Sequence, residues 1–180
     1  MSALVIYESM FGNTKRVALA IAEGIATRLP VTALEVGDAP EEIPAGVDLL
    51  VVGGPTHVHG MSSPKSRASA ADRTSAPLVS QRIGIREWLN RASVGTFEVP
   101  AAAFDTRVDG PQFLTGSAAK GYITGLRFAG FRVTTPARSF LVAAKAPPEA
   151  DALQPGALDD ARAWGEALVA KIAPKVSTPA

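Results

Sequence analysis

A chain of 180 residues, 47% hydrophobic and 19% charged, has the balance of a globular protein with one core rather than that of a disordered segment. Its net charge of +1 offers no electrostatic footprint for nucleic acid, and without cysteine it excludes disulfides, thiolate metal sites and cysteine nucleophiles. No apolar run approaches the ~20 residues of a membrane helix, and the opening MSALVIYES lacks the basic-then-apolar order of a signal peptide, so no membrane insertion is expected and the cytoplasm is the expected location.

Ala3 to Tyr7, a short run rich in branched residues, reads as a strand buried on both faces. Val17, Ile21 and Ile25 then recur every four residues and predict an amphipathic helix that Pro30 closes. Val31 to Val36 and Asp48 to Val52 predict the second and third strands, the third running into Gly53 and Gly54. The segment 62–82 is rich in serine and alanine, with Lys65, Arg67, Arg73 and Arg82 set against Asp72. It reads as a long loop, either a lid or docking surface beside the site or a plain flexible connection. A helix around Ile85 to Ala92, a strand from Val99 to Phe104 and a helix capped by Ser117 and reaching about Ala129 follow. Phe131 to Val142 holds a fifth strand interrupted by Pro136, which cannot donate to a ladder and so sends that strand to an edge or breaks it. Leu158, Ala161, Gly165, Leu168, Val169 and Ile172 mark the apolar face of a last helix, before a tail over 174–180 expected to fray.

Strands alternating with helices predict a parallel sheet covered on both faces, and the count fits a doubly wound α/β sheet of order 2-1-3-4-5 in a single domain over 1–173. Ligands of such sheets bind beyond the carboxyl ends of the strands where the winding reverses, here between strands 1 and 3. The loops after strands 1, 3 and 4 are therefore the candidate site.

The first loop is Ser9, Met10, Phe11, Gly12, Asn13 and Thr14, between a strand and a helix start. Unpaired amides and the helix dipole favour an anion there, Gly12 permits close backbone approach, and Ser9, Asn13 and Thr14 offer polar side chains. That makes a phosphate cradle needing no cation, while a helix cap with no ligand would use the same residues. Neither the nucleotide-hydrolase P-loop nor the G-x-G-x-x-G fingerprint is present. The second loop runs Pro55, Thr56, His57, Val58, His59, Gly60 and Met61. Its two histidines could carry charge to a ligand or stand exposed; with no carboxylate nearby in sequence, no metal site is expected. The third follows Phe104 through Asp105, Thr106 and Arg107, which could hold a ligand or form a solvated turn with Asp105 paired to Arg107.

SMFGNT after an apolar strand resembles the phosphate loop of flavodoxins, whose pattern is roughly Ser/Thr-x-Thr-Gly-x-Thr. Ser9, Gly12 and Thr14 match; Phe11 stands where that family usually has threonine, so one hydroxyl to the phosphate is lost and the backbone donors remain. Gly54-Pro55-Thr56 is similar to the flavodoxin-like loop lying against the flavin ring, and with Met61 to the corresponding loop of flavodoxin-like quinone reductases. The resemblance implies FMN as cofactor, bound by loop one at its phosphate and by loops two and three at its ring, with Phe104, Asp105, Thr106 and Arg107 on the second side of the ring and Ser117 a further contact. A histidine of loop two, His59 in particular, would then tune the ring, and Arg107 could offset charge on it or on a second cofactor's phosphate. The implied function is an FMN-binding redox protein passing electrons to a partner protein or a small acceptor, with no catalytic residue of its own. Two alternatives stay open: an NAD(P)H-dependent quinone reductase on the same fold, and a flavodoxin-like module that binds no flavin and acts through protein contacts. A phospho-receiver lacks its acidic pocket here, since strand 1 supplies Glu8 and strand 3 ends in Gly53-Gly54, and a low-mass tyrosine phosphatase lacks its cysteine.

Overall fold

The structure, a computed structural model, describes residues 1–95, 98–144, 146–148 and 150–172; the tail expected over 174–180 lies outside them. Strands β1 (Ser2–Tyr7), β2 (Val31–Glu35), β3 (Val47–Pro55) and β4 (Pro100–Val108) lie in the order β2-β1-β3-β4, all parallel. The fifth place is filled by two pieces, β5 (Arg132–Val133) against Pro100 and Ala101 and β6 (Arg138–Val142) against Phe104 to Val108. Pro136 lies in the gap between them, so this position is both an edge and a break. The order 2-1-3-4-5 predicted from alternation is the observed one, and the winding reverses between β1 and β3.

Alternate residues of each strand feed two cores. Val5, Tyr7, Val51 and Phe104 pack under α1 (Asn13–Ala26) and α6 (Ala157–Ile172). Ile6, Val52 and Ala103 pack on the other face under Trp88 of α3 (Ile85–Leu89) and Tyr122 and Leu126 of α5 (Ala118–Phe128). Val17, Ile21 and Ile25 are fully buried, as their four-residue spacing predicts. Helices α1 and α6 approach so closely that a methyl on Gly24 would lie 2.0 Å from the Arg162 carbonyl oxygen, and one on Gly165 would lie 2.2 Å from that of Ile21. This contact fixes where the start of α1 points.

Three elements differ from expectation. Segment 62–82 is not loop throughout: Pro64–Ala71 form helix α2, with Pro64 in the first turn and a reciprocal cap in which Ser66 N–H donates to Ser63 Oγ at 3.2 Å and Ser63 N–H to Ser66 Oγ at 2.9 Å. A short helix α4 spans Gln112–Thr115. Strand β4 continues past Phe104, because Thr106 pairs with Pro55 and Val108 with Val142; Asp105, Thr106 and Arg107 are therefore strand residues rather than loop residues.

Beyond the carboxyl end of β1, Glu8 is fully buried on the face of α3 and α5. Its Oε2 accepts Ile85 N–H at 2.9 Å, while Oε1 meets no protein partner among the described residues. Arg67 of α2, itself buried, donates to Ser62 Oγ at 3.0 Å and pairs with Glu87 of α3 at 3.1 Å. Burial pushes the Glu8 carboxyl above its ordinary 4.5, against the opposing pull of the Ser62 and Ile85 hydrogen bonds and the Arg67 charge. In the unfolded chain Glu8 loses its proton at lower pH than in the folded one, so its burial costs nothing below the ordinary carboxylate range and progressively destabilises the fold as pH rises toward the raised value. Glu8→Gln should therefore flatten the decline in stability between pH 4 and pH 8, read as urea midpoints; curves that run parallel for both proteins would show Glu8 to be ionised in the folded state.

Candidate functional site

Of the large cavities among the described residues, two lie at opposite ends of the sheet. One, of about 820 Å³, is lined at the amino-terminal ends of the strands by Met1, Val47, Pro100 and Arg132. The other, of about 730 Å³, opens at the carboxyl ends, over the place where the winding reverses, and is the one the topology favours for a ligand. It is lined by Met10, Phe11, Asn13 and Thr14 after β1, Pro55 at the end of β3 and Thr56 to Val58 after it, Thr106 to Val108 of β4, residues of α2 and the turn after it, and Val142 at the end of β6 with the segment that follows.

The loop after β1 is held open by its neighbours. Ser9 N–H donates to Ser80 Oγ at 2.9 Å, Ser80 N–H to the Ser9 carbonyl at 2.8 Å, and Val79 N–H to that of Met10 at 3.0 Å. Buried Ser9 Oγ accepts N–H groups from Gly12 at 3.2 Å and Lys15 at 3.3 Å. Gly12 sits at φ +97°, in the region that favours glycine, and turns the chain into α1. Among the described residues, the N–H groups of Phe11, Asn13 and Thr14 find no protein acceptor. Gly12, at the cap position of α1, has no side chain to accept from the first turn. Thr14 Oγ1 is engaged with Thr106 Oγ1 at 2.6 Å, and the Asn13 amide bridges the Ala150 carbonyl and Ala152 N–H, both at 3.3 Å. The cradle is thus made of main-chain donors, with Ser9, Asn13 and Thr14 spending their side chains on its frame. Ser9 and Gly12 do not line the cavity, and the Met10 side chain is buried with Ala70 and Leu78.

Loop two is a tight turn. His57 N–H donates to the Gly60 carbonyl at 2.8 Å and Gly60 N–H to that of His57 at 3.0 Å. Val58 and His59 take φ of 44° and 72°, left-handed values that cost a branched residue of order 1–3 kcal/mol, and Val58 is 88% exposed at the cavity mouth. His57 lines the cavity with Nδ1 at 3.0 Å from Ser66 Oγ. Its ring is held below the ordinary 6.5 by burial first, then by the charges of Arg67 and Arg73. His59, Gly60 and Met61 do not line the cavity. His59 is exposed and gives its carbonyl to Ser117 N–H at 3.2 Å, and the Met61 side chain packs inward against α5 at Gly121. The turn thus leaves these three, expected from the sequence to contact the ring, outside the lining that His57 and Val58 help to form.

Phe104 is a fully buried core residue in edge-to-face contact with Phe140 and Trp164, and contributes nothing to the cavity. Asp105, also fully buried, accepts Thr56 Oγ1 at 3.0 Å, Ser117 Oγ at 2.7 Å and Ala119 N–H at 3.0 Å. Thr56 Oγ1 in turn accepts Ala118 N–H at 2.9 Å. Asp105 and Thr56 therefore cap α5, and Ser117, expected to do so, occupies the cap position with its hydroxyl turned to Asp105. Neither Asp105 nor Ser117 lines the cavity. Arg107 does; it pairs not with Asp105 but with the Gly110 carbonyl and Thr115 Oγ1, both at 2.9 Å, bracing the turn after β4.

The cavity thus gathers Met10, Phe11, Asn13, Thr14, Pro55, Thr56, His57, Val58, Thr106 and Arg107 from the expected set. It also takes residues that sequence reasoning left out of the candidate set: Lys65, Ser66 and Arg73 of the α2 region, and Val142 at the end of β6 with Ala143 and Pro147 beyond it. The basic excess of 62–82 was the signal for the first group; nothing local marks the second. Among the described residues that line it there is no carboxylate, and no cluster of histidine, cysteine and acidic residues that could hold a metal ion occurs. Apolar walls, a helix start with a glycine at its cap position and a cationic side suit a flat ring carrying a phosphate, and the volume is within the roughly 300–1,000 Å³ of small-ligand sites. No helix among the described residues is long and apolar enough to cross a membrane.

No protein-family model matches the chain, and no curated protein matches it. Solved structures do. A flavodoxin from the domain Archaea superposes at a TM-score of 0.62 with 20% identity, over 96% of this chain and 99% of that one. Oxidised flavodoxin 1 from Bacillus cereus gives 0.64 and 18%, over 94% and 98%. The flavodiiron protein from Giardia intestinalis gives 0.57 and 18%, over 95% of this chain but 36% of its own. With strand order, winding and coverage all in agreement, the chain has the flavodoxin-like fold.

Proposed function

We propose that this chain is a cytoplasmic FMN-binding redox protein that passes electrons to a partner protein or a small acceptor. The reading is carried by one observation: Phe11, Asn13 and Thr14, whose amides find no acceptor among the described residues, line a cavity whose described lining holds no carboxylate. Such a helix start suits a phosphate group. Pro55, Val58, Val108 and Val142 supply apolar surface for the ring. FMN, when bound, supplies one- and two-electron transfer; the protein's part is to hold it, shape its surroundings and limit water around it. His57 brings a dipole rather than a charge at neutral pH, since its proton leaves below the ordinary histidine range. The exposed His59 has no such position.

Titration with FMN, followed by flavin fluorescence, tests the reading; saturable quenching at micromolar protein is expected, and its lack would overturn it. Gly12→Ala adds a methyl into open space, so its effect comes from φ +97° alone. It should weaken FMN about tenfold, because a residue with Cβ is strained there and draws the loop aside.

His57 should titrate below 6.5 in NMR of the ring protons, with stability lost as pH falls through and below the ordinary histidine range because the unfolded chain takes the proton first. In the FMN-loaded protein, His57→Asn should move the flavin midpoint potential while His59→Asn leaves it in place; the reverse pattern would return the tuning role to His59.

A further inference from the structure

We infer that Arg73, seated on the ring of Phe11, is the counter-ion of the bound phosphate. This rests on the FMN reading above and adds to it a side-chain cation that the cradle itself lacks. Phe11 lines the cavity where the flavodoxin pattern has a hydroxyl. A phosphate carrying about −1.5 to −2 charges would meet only amide dipoles in the loop after β1. Of the basic residues nearest that loop, Lys15 is exposed and does not line the cavity, and Arg16 is paired with Asp151.

Arg73 comes from a part of the chain some distance away in sequence. Its guanidinium carbon lies 5.9 Å from the Phe11 ring centroid, within cation–π range, and both residues line the cavity. The turn that carries it is fastened on two sides. Arg73 N–H donates to the Ala70 carbonyl at 3.1 Å, and Ala70 packs on Met10, with Phe11 against the same small cluster. Behind it, the Arg67–Glu87 ion pair fastens α2 to α3. Among the described residues Arg73 forms no ion pair, whereas Arg67, Arg82 and Arg107 are engaged with Glu87, Asp38 and the Gly110 carbonyl. Lys65, also at the cavity and exposed as Arg73 is, has no aromatic seat among the described residues. A guanidinium suits the position because it can stack on a ring with its face and still present paired N–H donors at its edge to phosphate oxygens. The aromatic ring that removes one hydroxyl thus provides the platform for a stronger, charged donor.

Riboflavin has the same ring system without the phosphate, so it separates a phosphate contact from a ring contact. Arg73→Gln should raise the FMN dissociation constant at least about tenfold, the scale of a charge-assisted hydrogen bond, while riboflavin binding changes less than about twofold. The salt dependence of FMN binding should become shallower, and Arg73→Lys should recover part of the loss. Phe11→Leu keeps apolar bulk but removes the ring, and should weaken FMN alone, by a smaller factor. Equal losses for both flavins, or FMN affinity unmoved in Arg73→Gln while the unaltered protein binds FMN, would overturn the inference and leave the FMN reading standing. An unaltered protein that binds neither flavin would overturn both.

Discussion

Main-chain donors at the start of α1 that no group among the described residues accepts are the constraint around which the molecule is organised. A helix start needs acceptors, and most are closed by a side chain at the cap. Here Gly12 stands at that position with nothing to offer, and Ser9 Oγ serves the N–H groups of Gly12 and Lys15 instead. The residues that carry the remaining donors line the cavity. Keeping them there takes much of the surrounding structure: the close glycine-mediated packing of α1 on α6, the pairing of residues 79 and 80 with the loop, and the Asn13 bridge to Ala150 and Ala152.

A second set of interactions holds the other walls. Asp105 joins β4 to Thr56 of loop two and to the start of α5, so the two sides of the cavity share one buried carboxylate. Glu8, Arg67 and Glu87 do the same beneath α2, tying the end of β1 to two helices. Both sets sit one layer behind the cavity. Their charges are spent on position, which leaves the cavity itself with backbone donors, apolar walls and the cations Lys65, Arg73 and Arg107.

Several residues read from the sequence as cofactor contacts turn out to frame the site rather than face it. Met61 and Phe104 are large and apolar, and at the mouth of a parallel sheet such side chains gain more from burial than from exposure at a rim; both are drawn into a neighbouring core, while Met10 lines the cavity and also packs against Ala70 and Leu78. Asp105 follows the opposite logic, since a buried carboxylate must collect donors and finds them in Thr56, Ser117 and the Ala119 amide. The two left-handed positions of the turn, Val58 and His59, are neither glycine nor asparagine, so the outward course of His59 could not be read locally.

What the amino-acid order determined by itself was the periodic part. Alternation of branched runs with four-residue apolar spacing set the strands, the main helices, the sheet order and the place where the winding reverses, because each depends on short-range patterns repeated along the chain. The cap residues Ser63 and Pro64 also held enough to mark α2, although the low hydrophobicity of 62–82 hid it. Only the tertiary structure decided which polar side chains face the cavity, that β4 runs on through Arg107, and that Arg73 comes to rest on Phe11. Those outcomes depend on contacts between residues far apart in sequence, and packing of whole helices against the sheet, rather than any local preference, brings them together.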